Sequence, residues 1–374
     1  MDCRWLVHAV VGFSVLALNL NTYGAGIDKR QAVEVPIRPS GGGMAYVKAV
    51  GRMEFDRNGA LYAWPGIYFE GRFRGTQIGL RFDDQINLFD VLVDDVRKMV
   101  VRRPGKVTLW VPGVGPGEHT VRVARRSEAP GQVGRFLGFV VGQDSAMLAP
   151  PAASPRQMEF VGDAHIVGSG LGSSVPRCAD SEVFEGTDTQ LSYGMLVARH
   201  FGADAQINGY SGLGLIHNAS GMTDLPGFRV FYERTYPGMA EPHWSTPPNW
   251  RPQVVVIGLG INDFSSLPSD QRIADPLKQQ FKQAYKSLLD DIRQRYGPDT
   301  WLVLTATDIR PPAQFKSTIR EIVVEARAAD DPRVLYFEYG DLDLCGCHGL
   351  PSERDHQVIA RRLIGLLETA GVKW

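Results

Sequence analysis

Residues Phe160–Gly170 read FVGDAHIVGSG: an apolar run, a Gly162-Asp163 pair, then a glycine-rich stretch. A buried strand breaking into a tight turn at such a junction lifts one side chain above the C-terminal edge of a parallel sheet, where α/β enzymes place their chemistry. The lifted position is Ala164. Acyl transfer at such a turn needs a nucleophilic atom with a base beside it, and a methyl group cannot attack a carbonyl. Other residues carry suitable atoms: Ser169 in the glycine-rich run, Ser211 beside Gly212, His165 next to Ala164, and His348 and His356 near the C-terminus. Geometry decides such roles. Both serines lie off the turn, and a histidine placed like His165 ordinarily packs on a helix or faces solvent.

Two further segments have the composition of site loops. Tyr210–Gly214 reads YSGLG, and Val254–Phe264 reads VVVIGLGINDF. Taken singly, Asn262-Asp263 after a strand is turn chemistry, and Gly212 and Gly214 are loop glycines. Taken in order, the three segments resemble the blocks of the GDSL or SGNH hydrolases. The first block is Gly-Asp-Ser in active members; here Asp163 is the brace of the turn and Ala164 stands at the nucleophile position. The resemblance implies that Gly212 lends a backbone N–H, and Asn262 its side-chain amide, to an oxyanion hole, with Asp263 completing the third block. The last block should place the base histidine just before a proline. Gly346–His356 reads GCHGLPSERDH, so Leu350 holds that position. His348, two residues earlier, stands where some relatives carry the acid of the triad, and Gly349 replaces an aromatic residue common there.

The likeness extends upstream. Gly51-Arg52, Ala63-Trp64-Pro65-Gly66, Arg125–Ala129 (RRSEA), Gly138-Phe139 and Asn262–Ser265 resemble carbohydrate esterase family 2, in order from about Gly43 to the C-terminus. That family joins an N-terminal jelly roll to an SGNH domain and removes acetyl groups from plant polysaccharides. The resemblance therefore implies a β-sandwich at 43–145 and a three-layer α/β domain with a parallel sheet at 157–374. It also implies an acetylated polysaccharide or oligosaccharide as partner. With Ala164 and Leu350 in place of nucleophile and base, no measurable esterase activity is expected, while carbohydrate binding is retained. Two alternatives stay open: an active ester hydrolase using a displaced Ser or His, and a structural or partner-binding envelope protein. Trp244, Trp250 and Tyr236, in a proline-rich segment before the third block, are suited to stacking on sugar rings or to packing their own loop.

Composition agrees with a two-core globular chain: 374 residues, 44% hydrophobic and 22% charged. Forty Lys and Arg against 41 Asp and Glu leave a net charge of −1, which argues against a nucleic-acid partner. No cofactor is expected. Arg4 followed by the apolar Trp5–Leu20 and small residues to Gly24-Ala25 predicts a secretory signal peptide over 1–25. Its apolar core falls short of the ~20 residues a membrane span needs, so a secreted or periplasmic protein without an integral span is expected. Cleavage leaves Cys178, Cys345 and Cys347, one bridge and one leftover thiol. Cys178–Cys347 is the preferred pair, because it ties the loop after the first block to the loop of the last. The rival, a metal site of Cys345, Cys347 and His348, has an uncommon spacing and lacks a fourth ligand.

Hydrophobic period places these motifs on elements. Ile67–Phe73, Gln77–Phe82, Phe89–Val93, Val107–Val111 and Val121–Val123 are short runs between turn signals, the pattern of an antiparallel sandwich. Ala149–Arg156 reads as a linker. Beyond it, Met158–Val161, Val254–Leu259, Trp301–Thr305 and Val334–Tyr339 read as buried parallel strands. Leu277, Phe281, Leu288, Leu289, Ile292 and Tyr296 form one helical stripe, and Val358, Ile359, Leu363 and Leu366 another.

Overall fold

The computed structural model describes residues 43–173, 175–220, 222, 224–265, 275–308 and 312–374. The signal peptide expected at 1–25 lies outside the described residues. Among them, no helix is long and apolar enough to cross a membrane.

The N-terminal part is a two-sheet antiparallel sandwich. Its strands are β1 (Lys48–Val50), β2 (Met53–Asp56), β3 (Gly59–Tyr62), β4 (Tyr68–Arg74), β5 (Ile78–Asp84), β6 (Leu88–Val93), β7 (Val96–Arg102), β8 (Gly105–Trp110), β9 (Glu118–Arg125), β10 (Gly134–Val141) and β11 (Ala146–Leu148). One sheet runs β1-β4-β9-β6-β7 with β11 added on β4; the other runs β2-β3-β10-β5-β8. The chain crosses between sheets at most turns. Alternate residues point inward, so Phe69, Phe73, Phe82, Phe89, Phe136 and Phe139 meet in one core. Phe69 and Phe136 stack with ring centroids 4.4 Å apart. Strand β11 carries the sandwich slightly past residue 145, using Ala146–Leu148 to cover the β4 edge.

The C-terminal part is a five-stranded parallel sheet of order β13-β12-β14-β15-β16, with β12 (Gln157–Gly162), β13 (Asp204–Gly209), β14 (Val254–Gly258), β15 (Trp301–Thr307) and β16 (Val334–Tyr339). The helices are α1 (Ala164–Val167), α2 (Asp180–Gly186), α3 (Tyr193–His200), α4 (Phe228–Tyr232), α5 (Ile261–Ser265), α6 (Asp275–Tyr296), α7 (Pro312–Ala328) and α8 (Glu353–Thr369). Strand alternation divides the core. Val255, Ile257, Leu302 and Leu304 meet Phe281, Tyr285, Leu288 and Ile292 of α6, with Phe315 and Ile319 of α7. Val254, Val256 and Val303 face the other way, onto Met195 and Val197 of α3 and Ile359 and Leu363 of α8.

Strand β13 escapes a hydrophobic reading because it spells DAQING, yet every residue in it is buried. Its polar side chains serve the junction with the sandwich. Asp204 accepts from Lys48 Nζ at 2.7 Å and from the Tyr68 hydroxyl at 2.8 Å. Asn208 donates to Glu159 Oε1 at 2.5 Å.

Glu159 is the centre of that junction. It and Arg52 have fully buried side chains and pair at 3.0 Å. The Tyr232 hydroxyl adds a third bond to Glu159 Oε1 at 3.0 Å, and the Arg52 guanidinium also donates to the Tyr232 carbonyl. The rings of Trp64, Tyr232 and Trp244 surround the guanidinium, with centroids 5.7, 4.4 and 5.4 Å from its carbon. Removing one member of a buried pair strands the other charge in low dielectric. Glu159→Ala or Arg52→Ala should therefore cost about 3–5 kcal/mol of unfolding free energy. The double variant should lose clearly less than the sum, because the two residues act on each other. Urea denaturation of all four proteins measures this; additive losses would show that the pair does not hold the junction.

Candidate functional site

The turn after β12 is built by Asp163. It caps α1, its carboxylate accepting from the His165 N–H at 3.1 Å, and Ala164 follows as the first, half-buried helical residue. The second oxygen of Asp163 accepts from Asn262 Nδ2 at 3.1 Å, and the same nitrogen donates to the Leu213 carbonyl at 2.9 Å. Asp163, Ala164, Asn262 and the loop bearing Gly212 are thus gathered at one end of the sheet. Asp163 is buried, which pushes its pKa up to about 7 despite the His165 N–H; the negative charge of Asp263 adds to the rise.

Gly212 sits in a tight turn closed by Leu213 N–H to the Tyr210 carbonyl at 3.2 Å, and its φ of 82° is the left-handed region that favours glycine. An added Cβ would lie 2.4 Å from Met222 Sδ. Its N–H is buried and has no acceptor among the described residues; the Ala164 N–H likewise has none. The two amides belong to separate turns, after β12 and after β13, at the same end of the sheet. Asn262 differs from its expected role, since both its amide protons are already engaged, and it serves a ligand only by exchanging one of those bonds. Asp263 accepts three backbone N–H bonds, from Leu215, Ile216 and His217 at 2.9, 2.7 and 2.9 Å. It fixes the loop beyond Gly212. Burial raises its pKa and the three donors oppose that rise.

The last-block loop reaches the same end. Cys178 and Cys347 form a disulfide, with Cα atoms 5.5 Å apart. The Cys347 N–H donates to the Gly170 carbonyl at 3.2 Å, and a Cβ on Gly170, whose φ is 59°, would lie 2.5 Å from Cys347 Cβ. His348 donates its N–H to the Pro176 carbonyl at 2.6 Å. Leu350 is held by its backbone, Gly346 N–H to the Leu350 carbonyl at 3.0 Å and Leu350 N–H to the Cys347 carbonyl at 3.1 Å. The bridge takes Cys347 out of the rival metal set, and no described cysteine is free, so the leftover thiol expected at Cys345 is not found.

The other candidate groups are committed elsewhere. His165 is buried with Nδ1 3.0 Å from the Tyr339 hydroxyl, and burial pushes its pKa down to about 4. His356 is buried inside α8, where Nδ1 receives the Tyr193 N–H at 3.1 Å; burial lowers its pKa to about 3. Ser169 is 4% exposed. The expected stacking surface also needs correction. Trp250 is 7% exposed and belongs to the α3–α8 core, while Tyr236 is 4% exposed and donates to Glu54 Oε2 at 2.9 Å. Trp244 lies half-buried over Arg52. Proline turns fold these rings inward, where their area is worth more than on the surface.

One site residue was not singled out from sequence, although it lies in RRSEA. Glu128, on the β9–β10 connection, accepts from Ser211 N at 2.7 Å and Ser211 Oγ at 2.5 Å. Desolvation raises its pKa, and the Ser211 bonds oppose the rise. Its sequence signal was membership of the RRSEA segment that resembles the family; by residue type alone, an acid in a basic run is ordinary surface composition.

The histidines and Asp163 give opposite pH dependences. Histidines neutral in the fold bind fewer protons than the unfolded chain below about pH 6.5, so their stability is lost as pH falls toward about 4. Asp163, raised to about 7, binds more protons than the unfolded chain in that window and stabilises as pH falls. His356→Gln keeps an acceptor for the Tyr193 N–H and removes one titration. Its unfolding free energy, measured in urea between about pH 6.5 and 4, should lose up to ~1.4 kcal/mol less per pH unit than the parent. Equal slopes would mean that His356 is protonated in the fold.

Known proteins resemble this architecture. The family model for the carbohydrate esterase 2 N-terminal region matches residues 49–151. A Cellvibrio japonicus protein named acetylxylan esterase / glucomannan deacetylase is 32% identical over 316 residues, 84% of this chain and 86% of its own. A solved carbohydrate esterase, whose active site is described as displaying divergent catalytic and non-catalytic binding functions, matches with TM-score 0.79 and 32% identity over 87% of this chain and 98% of that one. A family two carbohydrate esterase from Clostridium thermocellum, in complex with cellohexaose, matches with TM-score 0.78 and 28% identity over 87% and 98%. With the sandwich, the parallel sheet and the SGNH-type loops already in place, the chain belongs to carbohydrate esterase family 2.

Proposed function

We propose that this chain is a catalytically silent family member that holds acetylated carbohydrate in the pocket of an esterase. The observation that carries this reading is the pair of N–H groups of buried Gly212 and half-buried Ala164, without acceptors among the described residues, with Ala164 at the nucleophile position and Leu350 at the base position. Two oriented donors receive an ester carbonyl. Bond cleavage needs an attacking oxygen and a proton acceptor, and neither Ala164 nor Leu350 supplies one. Support for a polysaccharide ligand comes from the relatives: one is named an acetylxylan esterase and glucomannan deacetylase, and another was solved with cellohexaose. Export in the secretory route is part of the proposal, on the Arg4 and Trp5–Leu20 pattern.

A second reading, an active esterase with a displaced nucleophile, has one observation in its favour: the Ser211 hydroxyl donates to the Glu128 carboxylate at 2.5 Å. One experiment separates the two. The unmodified chain should show no acyl-enzyme burst on an aryl acetate, no labelling by an organophosphonate and no release of acetate from acetylated xylan. Ala164→Ser alone should help little, for want of a base. Ala164→Ser with Leu350→His should restore hydrolysis, because a donor to the developing oxyanion is worth ~2.7–4 kcal/mol. Hydrolysis by the unmodified chain that disappears in Ser211→Ala would establish the second reading. A folded but inert double variant would show that the pocket no longer receives an ester.

A further inference from the structure

A segment of the sandwich reaches the turn that carries Gly212. Glu128 lies in the middle of a sandwich segment fastened to the α/β domain on both sides. The Arg126 carbonyl accepts from Thr189 N at 2.9 Å and from its Oγ1 at 3.1 Å. The Pro130 carbonyl accepts from Gly238 N at 2.9 Å. Between these staples, the Glu128 carboxylate engages both the N–H and the hydroxyl of Ser211. Ser211 and Gly212 are the central residues of the Tyr210–Leu213 turn, and Ser211 is the one whose amide would otherwise compete for an incoming carbonyl. Two bonds to one carboxylate also fix the rotation of the turn. The Gly212 N–H is then the one donor of the turn without an acceptor among the described residues.

We propose that Glu128 is a positioning residue for the acyl-oxygen site: the sandwich clamps Ser211 so that the Gly212 N–H stays directed into the pocket. The clamp links the two domains functionally, since any shift of the sandwich against the sheet turns the donor away. This inference rests on the reading of Gly212 as receiver of an acetyl carbonyl.

The test uses the full chain labelled with ¹⁵N-glycine, in parent, Glu128→Ala, Glu128→Gln and Ser211→Ala forms. Glutamine keeps an acceptor for the Ser211 N–H and a polar partner for its hydroxyl. Expected in Glu128→Ala are a displaced Gly212 amide resonance and hydrogen exchange across residues 211–213 faster by about tenfold or more, the loss associated with a charge-assisted bond. Calorimetric affinity for acetylated xylohexaose should drop by a similar factor, ~10-fold, with deacetylated xylohexaose unaffected. Glu128→Gln should return resonance, exchange and affinity close to the parent. Ser211→Ala, a milder change, should fall between them and keeps the test valid should Glu128→Ala not fold. Unchanged exchange in both Glu128→Ala and Ser211→Ala would overturn the clamp. So would a Gln variant as impaired as the Ala variant, or a displaced turn with unaltered preference for the acetylated sugar. If the parent binds no acetylated sugar, the proposed function falls, and resonance and exchange still decide whether Glu128 sets the turn.

Discussion

The buried Arg52–Glu159 pair is the contact on which the arrangement of this molecule depends. Glu159 belongs to β12, the strand that ends in the Asp163 turn, and Arg52 belongs to the sandwich. Two ions leave water only when each is met by its partner and by further donors or acceptors. Asn208, Tyr232 and three aromatic rings provide that company. The need fixes the sandwich against one particular place on the sheet, because a small slip would leave charges unpaired. Hydrophobic contact alone would tolerate such slips. Trp64 enters one core of the α/β domain, and Val50, Tyr68 and Ala124 enter the other, so the domains share interior as well as charge.

Around the pocket, the same logic works on loops. Asp163, Asp263 and Asp355 each collect N–H groups from a separate loop: Asp163 at α1, Asp263 at residues 215–217, and Asp355 from Asp343, Leu344 and Ser352. A buried carboxylate with several backbone donors holds a loop at one distance and angle. The site is therefore shaped chiefly by acids acting as braces, and the disulfide adds a covalent limit between the first and last loops.

Legibility in the sequence followed how directly residue type maps to environment. Buried strands with continuous apolar residues, such as β14, and the α6 stripe were plain, because burial on both faces or along one stripe demands those residues. In α8 the buried face runs through His356, Ile359, Leu363 and Leu367, with Leu366 partly buried against the same core and Val358 half-buried at its side. A histidine in place of an apolar residue hid its start. β13 was illegible because its buried polar residues have polar partners, Lys48 and Tyr68 in the sandwich and Glu159 on the adjacent strand. Short or polar sandwich strands such as β2 and β7 were lost for a different reason: three residues of each are exposed to water. The Cys178–Cys347 bridge was legible from cysteine count and loop assignment. The inward fate of Trp250 and Tyr236 was not, since an aromatic in a proline-rich segment has the same spelling whether it stacks on ligand or on its own core.

The braces act without the side chains at positions 164 and 350. The bonds of Asp163 go to the His165 amide and to Asn262, none of them to the side chain at 164. Position 350 is held through backbone groups and through its neighbours' contacts with Gly170 and Pro176. The side chains of Ala164 and Leu350 carry no polar group and take no part in these bonds. Removing Asp163 or Asp263, by contrast, would free the backbone donors that each one holds. On the function proposed above, the residues that persist are those that would position a carbonyl, held by braces that do not depend on positions 164 and 350.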